Sequence, residues 1–188
     1  MSQVPDQDHK IECFKAYDIR GKVPSQLNEV IAFRIGIAIA KYLNASTVVV
    51  GYDIRPTSPQ LVEALSRGIT HQGAKVIDIG FCGTEEIYFA TNELHTDGGI
   101  MVTASHNPSD YNGMKIVGCE AKPISMDSGL AEIKQLAEKL TQKPSGGELI
   151  TTKKNIRKNY LNKVLSFVDT TELEPLKILV NAGNGCAG

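Results

Sequence analysis

Broad apolar stretches alternate with short polar breaks along this chain, and the spacing of the apolar positions decides which stretches are helices. From Leu27 to Leu43 the chain is rich in Ile, Ala and Leu, interrupted by Arg34 and Lys41, which predicts a helix buried over one broad face. Thr47 to Gly51 is a β-branched run, the pattern of a strand covered on both faces. Ser58 and Pro59 supply a cap and a first-turn proline for a helix that stops near Gly73. Lys75 to Ile79 reads as the next strand and Glu85 to Glu93 as a helix, after which Gly98 and Gly99 lead into a buried strand from Ile100 to Thr103. This alternation predicts an α/β fold, a mainly parallel sheet with helices on both faces.

Tyr111 to Val117, a turn near Gly118, and Ala121 to Ile124 predict a hairpin, and Ser128 to Leu140 a helix. Thr141 to Lys154 contains Pro144, Ser145, Gly146 and Gly147 and reads as a connector. A first domain is therefore expected over residues 1–146, with residues 147–188 forming a linker and the start of a second α/β domain. In that second part Asn155 to Phe167 predicts a helix and Lys177 to Val180 a strand entering a glycine-rich turn. The matching helix has not been reached by Gly188, so the chain is expected to be part of a longer protein.

Composition narrows the function classes. Twenty basic against 21 acidic residues leave a net charge of -1, which predicts no nucleic-acid partner. The polar start from Met1 to Lys10 has no apolar core of a secretory signal, and no run of about eighteen apolar residues predicts a membrane span. Cys13, Cys82, Cys119 and Cys186 lack paired spacing, which argues for reduced thiols rather than a zinc site. These features together predict a cytoplasmic protein.

The segment richest in chemistry is Thr103-Ala104-Ser105-His106-Asn107-Pro108, placed after a buried strand, where open α/β sheets set their ligand crevices. Three readings are open from the residues alone. The segment is a plain turn bent by Ser105, Asn107 and Pro108, or a hydrolase pair in which His106 activates Ser105, or a loop in which Ser105 carries phosphate. Adjacent side chains on an extended loop point apart and no nucleophile-elbow pattern surrounds the serine, which counts against the second. The third needs cations from elsewhere, since phosphoserine brings about -1.5 to -2 charges. Phe14-Lys15-Ala16-Tyr17-Asp18-Ile19-Arg20-Gly21, Gly51-Tyr52-Asp53-Ile54-Arg55 and Tyr111-Asn112-Gly113-Met114-Lys115 contain them. Alone, Lys115 reads as a surface charge, Tyr17 as core, and Asp53 with Arg55 as a structural ion pair, while Arg20 is either a surface charge or a phosphate ligand.

Taken together and in this order, those runs resemble the first-domain motifs of the α-D-phosphohexomutases. Gly83-Thr84-Glu85-Glu86-Ile87-Tyr88-Phe89-Ala90 and Lys122-Pro123-Ile124-Ser125 resemble the phosphomannomutase branch in particular. The resemblance implies that Ser105 is the phosphorylated serine, with Arg20, Lys115 and His106 at the reacting group and Tyr17 and Asn107 lining the phosphate site. It implies interconversion of mannose 6-phosphate and mannose 1-phosphate through a hexose bisphosphate, which also activates the enzyme. Phosphoglucomutase and phosphoglucosamine mutase activities are the alternatives. It also implies Mg²⁺ in the complete enzyme. Of the ligands only Ser105, through its phosphate, lies in this chain, because the family's Asp-x-Asp-x-Asp run is absent from the sequence. The implied partners are hexose phosphates and the later domains of the same enzyme, without which the chain is expected to be inactive. From another class, Gly183-Asn184-Gly185-Cys186-Ala187-Gly188 matches a dinucleotide fingerprint, though no helix or downstream acid follows to support it. A non-catalytic folded module is the remaining alternative.

Overall fold

The computed structural model describes residues 10–141 and 149–182. Its strands are β1 (Ile19–Lys22), β2 (Thr47–Tyr52), β3 (Lys75–Phe81), β4 (Gly98–Val102), β5 (Tyr111–Gly118) and β6 (Thr151–Lys153). They form one sheet in the order β1-β5-β4-β2-β3-β6. Pairings among β4, β2, β3 and β6 are parallel, whereas β5 runs antiparallel to both of its neighbours. The helices are α1 (Glu29–Tyr42), α2 (Ser58–His71), α3 (Thr84–Glu93), α4 (Leu130–Glu138) and α5 (Arg157–Leu165).

Strand periodicity divides the core in two. Val48 and Val50 of β2, Ile100 and Val102 of β4, and Met114 and Ile116 of β5 face one cluster, which α1, α2 and α4 complete with Ile35, Leu65 and Ile133 among others. Val49, Met101 and Val117 face the other way and meet Ile87 and Ala90 of α3. Because both faces are covered, the central strands can be apolar throughout, as their sequences require. The expected α/β fold with helices on both faces is the one observed, with a mixed sheet.

The helices and turns depart from expectation at instructive places. Ser58 is not the cap of α2 but its first residue, and Thr57 holds the cap position. The reason is competition: the Ser58 hydroxyl donates to Asp53 Oδ1 at 2.9 Å and accepts from Asn112 Nδ2 at 3.0 Å. Gly73, with φ of 84°, ends the helix region as expected. The return of the hairpin after Gly118 forms one bridge, Val117 to Pro123, and no strand. The helix expected from Ser128 begins instead at Leu130, because Gly129 at φ 126° breaks it from the short turn before it.

β1 was not anticipated: only four residues long, it carries Arg20, Gly21 and Lys22. The expected connector from Thr141 to Lys154 contains β6, whose residues pair with Val76, Ile77 and Asp78 of β3. Beyond it Ile156 is buried, and Tyr160 packs edge-on against Phe89 of α3 with ring centroids 5.6 Å apart. No strand forms at Lys177 to Val180, where Leu179 is 95% exposed; without a neighbouring strand the main chain has no ladder partner. The boundary expected at residue 146 and the glycine run from Gly183 to Gly188 lie outside the described residues.

Cys13 and Cys82 are buried and Cys119 is exposed. Burial pushes both buried thiols up from 9.0 to about 12. In the unfolded chain these thiols ionise near their ordinary value, so between about pH 9 and 12 the unfolded state holds fewer protons than the folded one. Stability must fall as pH rises through that window, by at most about 1.4 kcal/mol per pH unit for each thiol. Urea unfolding midpoints should therefore drop between pH 9 and 11, and a Cys13→Ala, Cys82→Ala double variant should show a flatter decline.

Candidate functional site

β4 ends where the chain must leave the sheet. Thr103 still donates its N–H to Gly113 of β5 at 3.0 Å, and Ser105 then takes a left-handed conformation with φ of 54°. For a residue with a Cβ that conformation costs about 1–2 kcal/mol, so neighbouring groups must hold it. They do so through the main chain. The Ser105 N–H donates to Thr103 Oγ1 at 2.9 Å, and that hydroxyl donates to Asp53 Oδ2 at 2.6 Å. From the other side Arg55 donates to four carbonyl oxygens: those of Ser105 and Asn107 from one terminal nitrogen, at 2.9 and 2.6 Å, and those of Pro108 and Tyr111 from the other, at 2.7 and 2.8 Å. The Ser105 side chain stays exposed, its Oγ 3.4 Å from Nδ1 of His106, which is also exposed.

The cations come from β1 and β5. Arg20 pairs in register with Gly113, two residues before Lys115, so both side chains leave the same face of the sheet. Asp18, two residues before Arg20, joins them there. Its Oδ2 accepts from Arg20 Nη2 at 2.9 Å and from Lys115 Nζ at 2.9 Å, while Arg20 Nε donates to both of its oxygens at 3.0 and 3.1 Å. The Asp18 side chain is only 7% exposed, whereas those of Arg20 and Lys115 are 26% and 30% exposed. One carboxylate thus orders two cations and leaves one positive charge in excess beside the loop. Arg20 Nη1 also donates to Asn107 Oδ1 at 2.7 Å, which ties the cation cluster to the serine loop.

Two further residues set this geometry. A Cβ at Gly113 would overlap the carbonyl oxygen of Ile19 and lie 3.0 Å from that of Thr103, so only glycine lets β1 approach this closely. Asn112 is fully buried and donates to Thr57 Oγ1 at 2.9 Å and Ser58 Oγ at 3.0 Å. It anchors the start of β5 to the start of α2.

Of the residues expected at the site, Arg20, Asn107 and Lys115 are joined by direct bonds or through Asp18, and Ser105 and His106 adjoin each other. Tyr17 is 80% exposed on the turn before β1 rather than packed in the core. Asp18 was missed as a functional candidate, although its offset from Arg20 by two in an extended run was a signal that the pair shares a face. Asp53 and Arg55 do form an ion pair, at 3.4 Å, but the arginine's larger contribution is the loop, which no local pattern signals. A cavity of about 510 Å³ opens elsewhere, beside β3 and β6, and its lining of Tyr52, Asp78, Phe81, Glu86, Lys153 and Arg157 among others does not include Ser105.

Comparison with known proteins decides the family. The family model for phosphoglucomutase/phosphomannomutase alpha/beta/alpha domain I matches residues 12–144. The chain belongs to the phosphoglucomutase/phosphomannomutase family. It is 53% identical over 181 residues to a protein of Xanthomonas campestris named for phosphohexose mutases, covering 95% of this chain and 40% of that one. To a phosphomannomutase of Salmonella typhimurium it is 51% identical, again over 95% of this chain and 40% of the relative. A crystal structure of a phosphoglucomutase/phosphomannomutase family protein from Burkholderia thailandensis superposes with a TM-score of 0.71 at 30% identity, covering 82% of this chain and 35% of the other. The chain thus spans about 40% of the length of the curated relatives it matches. Its family is one of isomerases that move phosphoryl groups.

Replacing Asp18 with Asn leaves Arg20 and Lys115 facing each other without a countercharge. Such a loss at a largely buried carboxylate should destabilise the protein by about 1–3 kcal/mol after solvent screening of the two partly exposed cations. Added salt screens the exposed repulsion, so the deficit measured by urea unfolding should shrink from low salt to about 0.5 M.

Proposed function

We propose that this chain carries the phosphoserine of a phosphomannomutase, with Ser105 as the phosphoryl carrier. The observation that supports this most is the exposed Ser105 hydroxyl on a loop tied through Asn107 to the Arg20–Asp18–Lys115 cluster. A fixed, always-charged guanidinium and an ammonium with net positive charge between them suit the spread charge of a transferring phosphoryl group. In the forward step a hydroxyl oxygen of the hexose monophosphate attacks the phosphorus on Ser105. The new P–O bond forms as the bond to Ser105 Oγ breaks; the hydroxyl proton passes to a base and an acid protonates the departing Ser105 Oγ. The bisphosphate then turns, and Ser105 Oγ, giving up its proton, attacks the other phosphorus as its bond to the sugar oxygen breaks and that oxygen takes a proton, which regenerates the phosphoserine and releases the isomer. Arg20, Lys115 and His106 act at the transferring group, and Tyr17 and Asn107 line the phosphate site.

The substrate reading, mannose 6-phosphate and mannose 1-phosphate, rests on the names of relatives such as the Salmonella protein at 51% identity. The family description, which names phosphoglucomutase beside phosphomannomutase, supports glucose phosphates as a second substrate class. Among the described residues no three His, Cys, Asp or Glu side chains gather into a metal site. Bound Mg²⁺ would be held here by the oxygens of phosphorylated Ser105, with its other ligands supplied from elsewhere in the enzyme, and would neutralise charge on the transferring group. The apolar side chains of Leu161, Leu165, Phe167 and Leu176, each at least half exposed, support the reading that more of the enzyme covers this part of the chain during activity. No helix among the described residues is long and apolar enough to cross a membrane, and we place the enzyme in the cytoplasm.

Incubating the intact enzyme with a hexose bisphosphate should add one phosphoryl group to the peptide containing Ser105, read by mass. Ser105→Ala should abolish the label and lower turnover by at least about a thousandfold, because the accepting atom is gone. A folded Ser105→Ala enzyme with normal turnover, or label on Ser109, would refute the assignment. Arg20→Ala should lower kcat by about 10²–10³, the scale of losing one donor to developing charge, with KM changed far less. A change confined to KM would assign Arg20 to substrate binding instead.

A further inference from the structure

We infer that Arg55 is a positioning residue for phosphoryl transfer, one that acts by holding the Ser105 main chain and not by touching the sugar phosphate. The inference rests on the carrier reading of Ser105. All the terminal N–H groups of the guanidinium are committed to carbonyl oxygens of the serine loop, at 2.6 to 2.9 Å. Its side chain with Asp53 is largely buried, at 11% and 16% exposure. The remaining donor, Nε–H, makes no hydrogen bond but is buried 3.4 Å from Asp53 Oδ2, so no donor edge faces outward for a phosphate. The planar fork is what allows one side chain to reach four carbonyls, and a lysine ammonium cannot do this.

Asp53 closes the arrangement into a ring. Its Oδ2 lies 3.4 Å from Arg55 Nε, and Arg55 holds the Ser105 carbonyl. The same oxygen accepts from Thr103 Oγ1, and Thr103 holds the Ser105 N–H. The amide and the carbonyl of Ser105, the groups on either side of its left-handed φ and ψ, are thus each one residue away from a single carboxylate oxygen. Asp53 is itself held by the hydroxyl of Ser58 at 2.9 Å and the N–H of Arg55 at 3.1 Å. The end of β2 therefore sets the direction in which the Ser105 hydroxyl leaves the end of β4.

The test compares Arg55→Lys with Arg55→Ala in the intact enzyme, reading single-turnover labelling of Ser105 by a hexose bisphosphate together with steady-state KM and kcat. A misplaced nucleophile costs about 100-fold, so both variants should label that much more slowly while KM for the monophosphate stays within about threefold. If Arg55 instead met a substrate phosphate, Arg55→Lys would keep most of the rate and Arg55→Ala would raise KM, and the inference would fall. Hydrogen exchange supplies a readout independent of activity: Arg55→Lys should speed exchange in the peptide spanning residues 104–111 and leave that of α1 and β2 unchanged. Unchanged exchange in that peptide would overturn the proposal. Should Arg55 variants melt throughout, Thr103→Val decides the matter. It keeps the side-chain shape, removes only the hydroxyl between Asp53 and the Ser105 N–H, and should slow labelling by about tenfold with KM unmoved. Normal labelling in Thr103→Val would overturn the ring. If the unsubstituted enzyme takes no label on Ser105, the carrier reading falls and with it the part Arg55 plays in phosphoryl transfer, while the exchange arm still decides whether Arg55 holds the loop.

Discussion

A side chain left exposed to solvent cannot also hold its own loop in place, and that constraint organises the region around Ser105. Its hydroxyl is exposed while its backbone sits in a left-handed conformation at the end of a buried strand. All the restraint therefore has to come through N–H and C=O groups. Thr103 takes the amide, Arg55 the carbonyls, and Asp53 steadies both. The buried strands β2 and β4 are the rigid parts that make this work, since their parallel pairing fixes the distance between Asp53 and Thr103.

Charge is handled by the same division of labour. Asp18 is nearly buried and its two partners are about a quarter to a third exposed, so the carboxylate anchors the cluster while the cations keep an open side. A bare pair of cations at this spacing would repel, and a fully neutralised pair would leave no net positive field beside the loop. One carboxylate between two cations avoids both outcomes. The arrangement also explains why β5 runs against its neighbours: reversal carries Tyr111 to Lys115 back alongside β1 directly after the serine loop.

The parts of the fold legible in the sequence were those with strong periodicity. α1, α2, α3 and the strands β2, β3 and β4 were all anticipated within a few residues: burial on both faces gives β2 and β4 a continuous apolar run, and partial burial leaves the helices and β3 enough apolar positions to set their period. β1 and β6 left almost none, since a strand of three or four residues at a sheet edge needs few apolar positions and takes its identity from a partner distant in sequence. Ser105, Arg20 and Lys115 were legible as motifs. Asp18 and Arg55 were visible as residues but not as roles, because one works by sharing and the other by reaching carbonyls about fifty positions away.

Gly113 touches no charge, yet its missing side chain keeps the Arg20 strand pressed against the Lys115 strand and close to the end of the Thr103 strand. A single methyl group there would act as a wedge. It would spread the two cations relative to the serine without altering any ionisable residue, and so would change the field at the Ser105 hydroxyl through distance alone. A substitution at this apolar position is in that sense an electrostatic change, and a comparison of charged residues alone would overlook it.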